Sequence, residues 1–286
     1  MKPAPFDLHF PKTVAEACAV LREKRGDARL LAGGQTLLPS MGMRVSEPAS
    51  LIALSGIKEL SLLRAAGKSL EVGAMVRQAA LEDALKAKRV THPVLETMLP
   101  WVAHRPIRQR GTVCGSIAHA DPSAELPLAL LALQGSVTAA STHGAREIAA
   151  RDLFTGPVQT SLRDDEMIVA AQFPLLEATD RIGFAEFGYR HGDFAVVSVL
   201  VIARETSTIF AFGGIDDTPV RIEIPTALAD CDLQIQLNAL AAQQTVRTDP
   251  TANADFRRHL MTRLGQHACL QALGQAPFHH DARQSL

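Results

Sequence analysis

Two glycine-containing stretches constrain this chain more than any other feature: Leu31-Ala32-Gly33-Gly34-Gln35-Thr36 and Gly111-Thr112-Val113-Cys114-Gly115-Ser116. Glycine lets the main chain approach a ligand closely and adopt positive φ at no steric cost. Successive N–H groups in such turns form a concavity suited to phosphate oxygens. Each stretch also carries hydroxyls, Thr36 in the first and Thr112 and Ser116 in the second. A lone Gly-Gly pair is a common loop signal. Two such stretches, each in its own context, point to an anion held by backbone.

The surroundings exclude two familiar ways of holding phosphate. Thr13-Val14-Ala15-Glu16 is a capping box, with Val14, Ala17, Cys18 and Leu21 on one helical face and Gly26 at the stop. Arg29-Leu30-Leu31-Ala32 reads as a short buried strand that runs into the first glycine stretch. The order is helix, strand, glycine, whereas a Rossmann unit runs strand, G-x-G-x-x-G, helix. Neither that fingerprint nor a G-x-x-x-x-G-K-S/T loop occurs.

A chain of 286 residues exceeds one average domain, and 47% hydrophobic residues supply a full core. With 29 Lys+Arg against 30 Asp+Glu, nothing indicates a general nucleic-acid binder. No apolar run is long enough to span a bilayer. The opening Met1-Lys2-Pro3-Ala4-Pro5-Phe6 lacks a signal-peptide core, so a soluble cytoplasmic protein is expected. Of the four cysteines, Cys18, Cys114, Cys231 and Cys269, no two stand at metal-site spacing, so neither zinc nor an iron–sulfur cluster is expected here. Cys18 fits a helix core. Cys114 is either a redox thiol or a small residue filling a tight turn.

Further along, Leu51 to Leu54 reads as a strand, and Ser61–Ala66 and Ser69–Met75 as a hairpin about Gly67-Lys68. Helices are expected over Val76–Ala87 and Pro93–Ala103, with Trp101 in the core. Arg105, Arg108 and Arg110 lead into the second glycine stretch, either as a field for phosphate or as a solvated basic turn. Asp121 and Pro122 suit N-cap and N1 of an apolar helix through Leu133. Asp121 and Glu125 would then accept hydrogen bonds from sugar hydroxyls. His119 reads as a structural or ligand-positioning residue. Val137–Ala140 and Arg146–Ala149 read as a hairpin, Asp165–Pro174 as a strand, and Leu175–Arg181 as a linker. Strand-like or short helical segments follow over Phe184–Arg190, Ala195–Ala203 and Thr208–Phe212. Asn253–Leu273 closes the chain's regular structure as a helix; there is no internal repeat.

Taken together, Ala32-Gly33-Gly34-Gln35-Thr36 and Thr112-Val113-Cys114-Gly115-Ser116 resemble the two FAD pyrophosphate loops of the medium, flavin-binding subunit of molybdenum hydroxylases, the group of xanthine dehydrogenase and aerobic carbon monoxide dehydrogenase. The resemblance covers nearly the whole chain. It includes the opening Phe6 to Thr13, the lead-in Arg108-Gln109-Arg110-Gly111, and Asp121 to Pro127, which is similar to the segment contacting the flavin's ribose and adenine side. It also includes Glu186 to Ala195, similar to the signature that opens the C-terminal domain. Cys114-Gly115-Ser116 departs from the Gly-Gly-Asn often found there, Thr36 replaces Ser, and Glu125 replaces Asp. Glu186 stands where some members carry Lys near the flavin, and is not assigned to FAD. Phe194 stands where the carbon monoxide enzyme places a Tyr against the isoalloxazine. Met167 and Ile168 match positions that line that ring in relatives, or are ordinary strand core.

The resemblance implies an α+β fold. Its FAD-binding domain would span 1–175 in two α/β subdomains (about 1–57 and 58–175), followed by a smaller α/β C-terminal domain over 176–286. It implies an FAD site built from Leu31 to Thr36, Thr112 to Ser116, Asp121, Glu125, Met167, Ile168 and Phe194, with no catalytic acid, base or metal ligand on this chain. It further implies an electron-transfer subunit in a dimer of heterotrimers. A large partner would carry the molybdenum cofactor and a small partner two 2Fe–2S clusters, which feed electrons to FAD and on to an external acceptor. A stand-alone flavoprotein acting on its own substrate is the alternative; a scaffold that has lost FAD is a third reading.

Overall fold

The computed structural model describes residues 2–24, 26–230 and 232–277; Cys231 and the Phe278-His279-His280 stretch lie outside them. The chain begins with a three-stranded parallel sheet of β1 (Asp7–His9), β2 (Ala28–Leu31) and β3 (Ser50–Ala53), in the order β1-β3-β2. The crossover is α1 (Val14–Lys24), which buries Ala17, Cys18 and Leu21. One half of the capping box forms: Thr13 Oγ1 accepts from the Glu16 N–H at 3.1 Å. The return bond of the Glu16 carboxylate comes from the Lys12 N–H at 2.7 Å rather than from Thr13 itself. β2 ends in the first glycine stretch, which turns into the short α2 (Leu37–Gly42).

A five-stranded antiparallel sheet follows. β4 (Leu63–Ala66), β5 (Ser69–Gly73), β6 (Ser136–Ser141) and β7 (Gly144–Ala149) are joined by β10 (Met167–Pro174) in the order β4-β5-β10-β6-β7. A small hairpin, β8 (Phe154–Gly156) with β9 (Gln159–Thr160), precedes β10. Between β5 and β6 the chain runs through α3 (Gln78–Lys86), α4 (Pro93–Met98), α5 (Arg105–Arg108), α6 (Val113–His119) and α7 (Glu125–Ala132); α8 (Ala150–Leu153) follows β7. Every residue of α7 is buried, which its near-continuous Leu/Ala run requires.

The last sheet is antiparallel, β11 (Arg181–Phe187), β12 (Val197–Ala203), β13 (Thr208–Gly213) and β14 (Val220–Ile224), in chain order. One face packs on α7 and the other on α10 (Ala254–Ala272), which also contacts α9 (Leu233–Gln243). With both faces covered, β12 and β13 are almost continuously apolar rather than alternating, Ser198 and Thr208 excepted, the pattern expected of a doubly buried strand. Trp101 does belong to the core: it meets Phe184 of β11 edge-to-face, with ring centroids 5.7 Å apart. Among the described residues, no helix is long and apolar enough to cross a membrane.

Two expectations change. The second glycine stretch is not an extended loop but the first turn of α6, because Thr112 at N-cap accepts from the Gly115 N–H at 3.0 Å. Asp121 and Pro122 do not start α7. That helix begins at Glu125, with Ala124 at N-cap. The Asp121 carboxylate instead accepts from the Ser123 N–H at 2.8 Å, closing an Asx turn that competes with helix initiation.

Candidate functional site

The two glycine stretches meet backbone to backbone. A Cβ on Gly33 would stand 2.6 Å from the Arg110 carbonyl oxygen, 2.9 Å from Gly111 Cα and 3.1 Å from the Thr112 nitrogen. Glycine is therefore required at this position for the stretches to touch each other, before any ligand arrives. At Gly115 a Cβ would stand 2.5 Å from Thr112 Oγ1, in the way of the cap that starts α6. The second stretch is held from behind by residues 76–78. The Val113 N–H donates to the Val76 carbonyl at 3.1 Å, the Gln78 N–H donates to the Gly111 carbonyl at 2.9 Å, and the Arg77 guanidinium donates to the Arg110 carbonyl.

Over this junction lies a cavity of about 670 Å³, the size range of small-molecule and cofactor sites. Ala32, Gly33, Gly34, Gln35 and Thr36 form one wall, and Thr112, Cys114, Gly115 and Ser116 another. Asp121 and Glu125 lie on the wall as well, with Ile168 of β10 and, from the segment between β11 and β12, Phe194. Phe194 is 62% exposed, so its ring stands at the mouth. Three expected site residues lie behind the lining: Val113 and Met167 have no exposed surface, and Leu31 is the last residue of β2. The pairing register of β10 shifts between Ile168 and Ala170, a bulge that bends the strand just where Ile168 reaches the cavity.

The arginine cluster does not face this space. Arg108 is buried, donating to Glu82 Oε2 at 3.0 Å and to the carbonyls of Val102 and Ala103 at 2.8 and 2.9 Å. Arg105 pairs with Asp83 at 2.9 Å. Their charge is spent on fastening α5 to α3. The cavity's attraction for an anion comes from main chain: among the described residues, no carbonyl accepts from the N–H groups of Gly33, Gly34, Gln35 or Thr36. Thr36 Oγ1 makes no cap bond to α2, which leaves a hydroxyl beside those amides. Burial pushes the Cys114 thiol up to about 12, and it donates to the Val72 carbonyl at 3.5 Å. That removes the thiolate a redox role would need and leaves Cys114 as the residue that fills a tight turn.

Gln78 is a wall residue that local sequence does not reveal. It is buried at the start of α3, and its Oε1 finds no partner although it borders the cavity. A polar residue on a helix's apolar face is the available signal, and it is a weak one. Gly192 and Asp193 also border the cavity; Gly192, at φ +84°, packs against the His104 ring, which stacks on His191. Among the described residues, no group of three or more His, Cys, Asp or Glu could hold a metal ion.

Residue by residue, the lining suits a dinucleotide. Glycine-backed amides without acceptors fit a pyrophosphate, carboxylates on the wall fit sugar hydroxyls, and an apolar wall with an aromatic ring at the mouth fits a flat ring system.

Comparison with known proteins agrees. Residues 4–176 match the FAD binding domain in molybdopterin dehydrogenase. Over 96% of its length the chain is 33% identical to the 6-hydroxypseudooxynicotine dehydrogenase complex subunit alpha of Paenarthrobacter nicotinovorans, covering 97% of that protein. It is 38% identical to the nicotine 6-hydroxylase medium subunit of the same organism, over 71% of this chain and 72% of that one. The fold superposes on a chain of carbon monoxide dehydrogenase from Hydrogenophaga pseudoflava with a TM-score of 0.89 and 27% identity, covering 97% of this chain and all of that one. The glycine junction, the cavity over it and these matches lead to one conclusion: the chain belongs to the FAD-binding-domain family of the molybdopterin dehydrogenases and is the FAD-binding medium subunit of a molybdenum hydroxylase, an oxidoreductase.

Proposed function

We propose that this subunit takes electrons from two 2Fe–2S clusters of a small partner subunit and delivers them through FAD to an external acceptor. A large partner would carry the molybdenum cofactor, in a dimer of heterotrimers. FAD supplies the chemistry, since it accepts electrons singly or in pairs and can therefore link one-electron clusters to a two-electron acceptor. This chain binds and orients it. In this reading the amides of Gly33 to Thr36 hold the pyrophosphate against the face of Thr112, Cys114, Gly115 and Ser116, with Ala32 beside them, Asp121 and Glu125 take sugar hydroxyls, and Ile168 and Phe194 flank the ring. Leu31, Val113 and Met167 support these residues from behind. We put the boundary between the FAD-binding domain and the C-terminal domain at 175/176, a choice that the segment between β10 and β11 supports.

The observation that carries the reading is the set of unclaimed amides at Gly33 to Thr36, on the wall of the cavity. Removing the flavin from the native complex tests it. Reduction of the complex should still generate the electron paramagnetic signals of reduced 2Fe–2S clusters, while electron delivery to a soluble dye acceptor falls at least tenfold and returns on adding FAD. A purified chain that turns over a substrate by itself, without partners, contradicts the proposal and favours a stand-alone flavoenzyme.

A further inference from the structure

Gln78 is held so that one end of its side-chain amide is engaged and the other is not. It opens α3, is 5% exposed, and its main-chain N–H donates to the Gly111 carbonyl at 2.9 Å. Its side-chain Nε2 donates to the Thr112 carbonyl at 3.4 Å. A carbonyl only accepts, so the NH2 end faces Thr112 and Oε1 is turned away from it. Oε1 is then a buried acceptor on a residue of the cavity wall, and among the described residues nothing donates to it. The neighbouring Gly111 N–H is engaged with the Ile107 carbonyl at 2.8 Å. Gly111 also supplies the room, since a Cβ there would stand 2.9 Å from Oε1. A buried acceptor without a donor is costly, and a donor that arrives with the ligand removes that cost.

We propose that Gln78 Oε1 accepts a hydrogen bond from a ring N–H of the dinucleotide, and so selects a ring that carries a donor at its edge. The inference rests on the FAD reading of the cavity. Pyrophosphate oxygens only accept and cannot be the partner. The carboxylates suited to sugar hydroxyls, Asp121 and Glu125, come from a different element, the segment that leads into α7. Around Gln78 the wall is apolar: Ala74, Val102, Ala103 and Ile107 line the cavity, and α5, which carries Ile107, packs on α3. Arg108 fixes that segment, donating to the carbonyls of Val102 and Ala103 while it pairs with Glu82, one turn beyond Gln78 on α3. A Cβ on Gly192 would stand 3.2 Å from the Ala103 carbonyl carbon, and Phe194 follows two residues later. An apolar wall with one fixed acceptor suits a flat heteroaromatic ring with an N–H on its rim. FAD carries two such groups, the adenine amino group and N3–H of the isoalloxazine, and analogues lacking one or the other separate them.

The test is a set of titrations of the full chain, freed of flavin, with FAD, with FAD deaminated at the adenine, and with FAD methylated at N3 of the isoalloxazine. Wild type should bind one of the two analogues about tenfold more weakly than FAD, the loss expected when a buried acceptor goes unpaired, and the other within about twofold. Gln78→Met, which keeps an unbranched side chain without the amide, should bind FAD about tenfold more weakly and should lose the discrimination against the analogue that wild type rejects. A purely structural role for Gln78 would weaken all three flavins alike and leave the discrimination in place. Discrimination that persists undiminished in Gln78→Met therefore overturns the proposal, and so does a wild type that binds all three flavins equally. The wild-type comparison needs no variant, so it decides even where Gln78→Met fails to fold. A chain that binds none of the three contradicts the reading of the cavity itself. Equal FAD affinity in wild type and Gln78→Met contradicts only the role of Gln78.

Discussion

Gly33→Val is expected to leave the chain without flavin. The first atom of the new side chain already has nowhere to go. It would stand 2.6 Å from the Arg110 carbonyl, 2.9 Å from Gly111 Cα and 3.1 Å from the Thr112 nitrogen, all of them backbone. No rotamer change relieves such contacts, so the two glycine stretches must separate. Separation misplaces the amides of both at once, and positioning errors on the order of 1 Å cost roughly 100-fold in sites of this kind. Flavin absorbance of the purified variant should be absent, while its far-ultraviolet circular dichroism stays near wild type, because the three sheets do not depend on that contact. Gly34→Ala makes the contrast. Its φ of +72° strains any other residue by about 1–2 kcal/mol, but its Cβ would meet only the flexible side chains of Leu38 and Leu31. That variant should retain flavin with weakened affinity. Full occupancy in Gly33→Val would contradict the account of the junction.

Arg257→Ala should be the most destabilising single change outside the cavity. Arg257 is 1% exposed on α10 and donates to the Val196 carbonyl at 2.5 Å, the Gly214 carbonyl at 2.7 Å and Asp249 Oδ2 at 2.6 Å. Truncation takes the guanidinium from two carbonyls and from Asp249, which keeps the Thr251 and Ala252 N–H groups and Arg247, at a cost of about 3 kcal/mol. The melting temperature should fall by on the order of 10 °C. The effect should reach the site, because the Gly214 N–H donates to the Pro122 carbonyl at 2.8 Å, in the segment that leads into Glu125. Flavin release should therefore quicken in the variant. Arg257→Lys, which keeps a charge but lacks the planar fork, should recover part of the loss. An unchanged melting curve for Arg257→Ala would contradict this assignment of the network.

What the sequence made legible was local, and what it hid was tertiary. The Thr13 half of the capping box, the order helix–strand–glycine and the long helix after Asn253 follow from spacing alone, and each formed. The pairing of the two glycine stretches was inferred from their chemistry and from family resemblance; nothing in either stretch says that Gly33 packs on Arg110 to Thr112. Asp121 illustrates the ambiguity of local chemistry. The same carboxylate that can cap a helix can close an Asx turn, and here Ser123 takes the bond and the helix waits until Glu125. Arg105 and Arg108 stand next to the second stretch in sequence, yet Glu82 and Asp83 on α3 draw them away from the cavity. Glu186 carries no local mark and Gln78 only a weak one, because their burial is made by strands and helices remote in the chain.

The central claim is that the junction of the two glycine stretches holds FAD. A visible spectrum of the purified native protein, with the released chromophore identified after denaturation, tests it most directly. The account predicts flavin bands and about one FAD per chain, lost in Gly33→Val. A native complex without flavin, or a flavin retained undiminished by Gly33→Val, would contradict it.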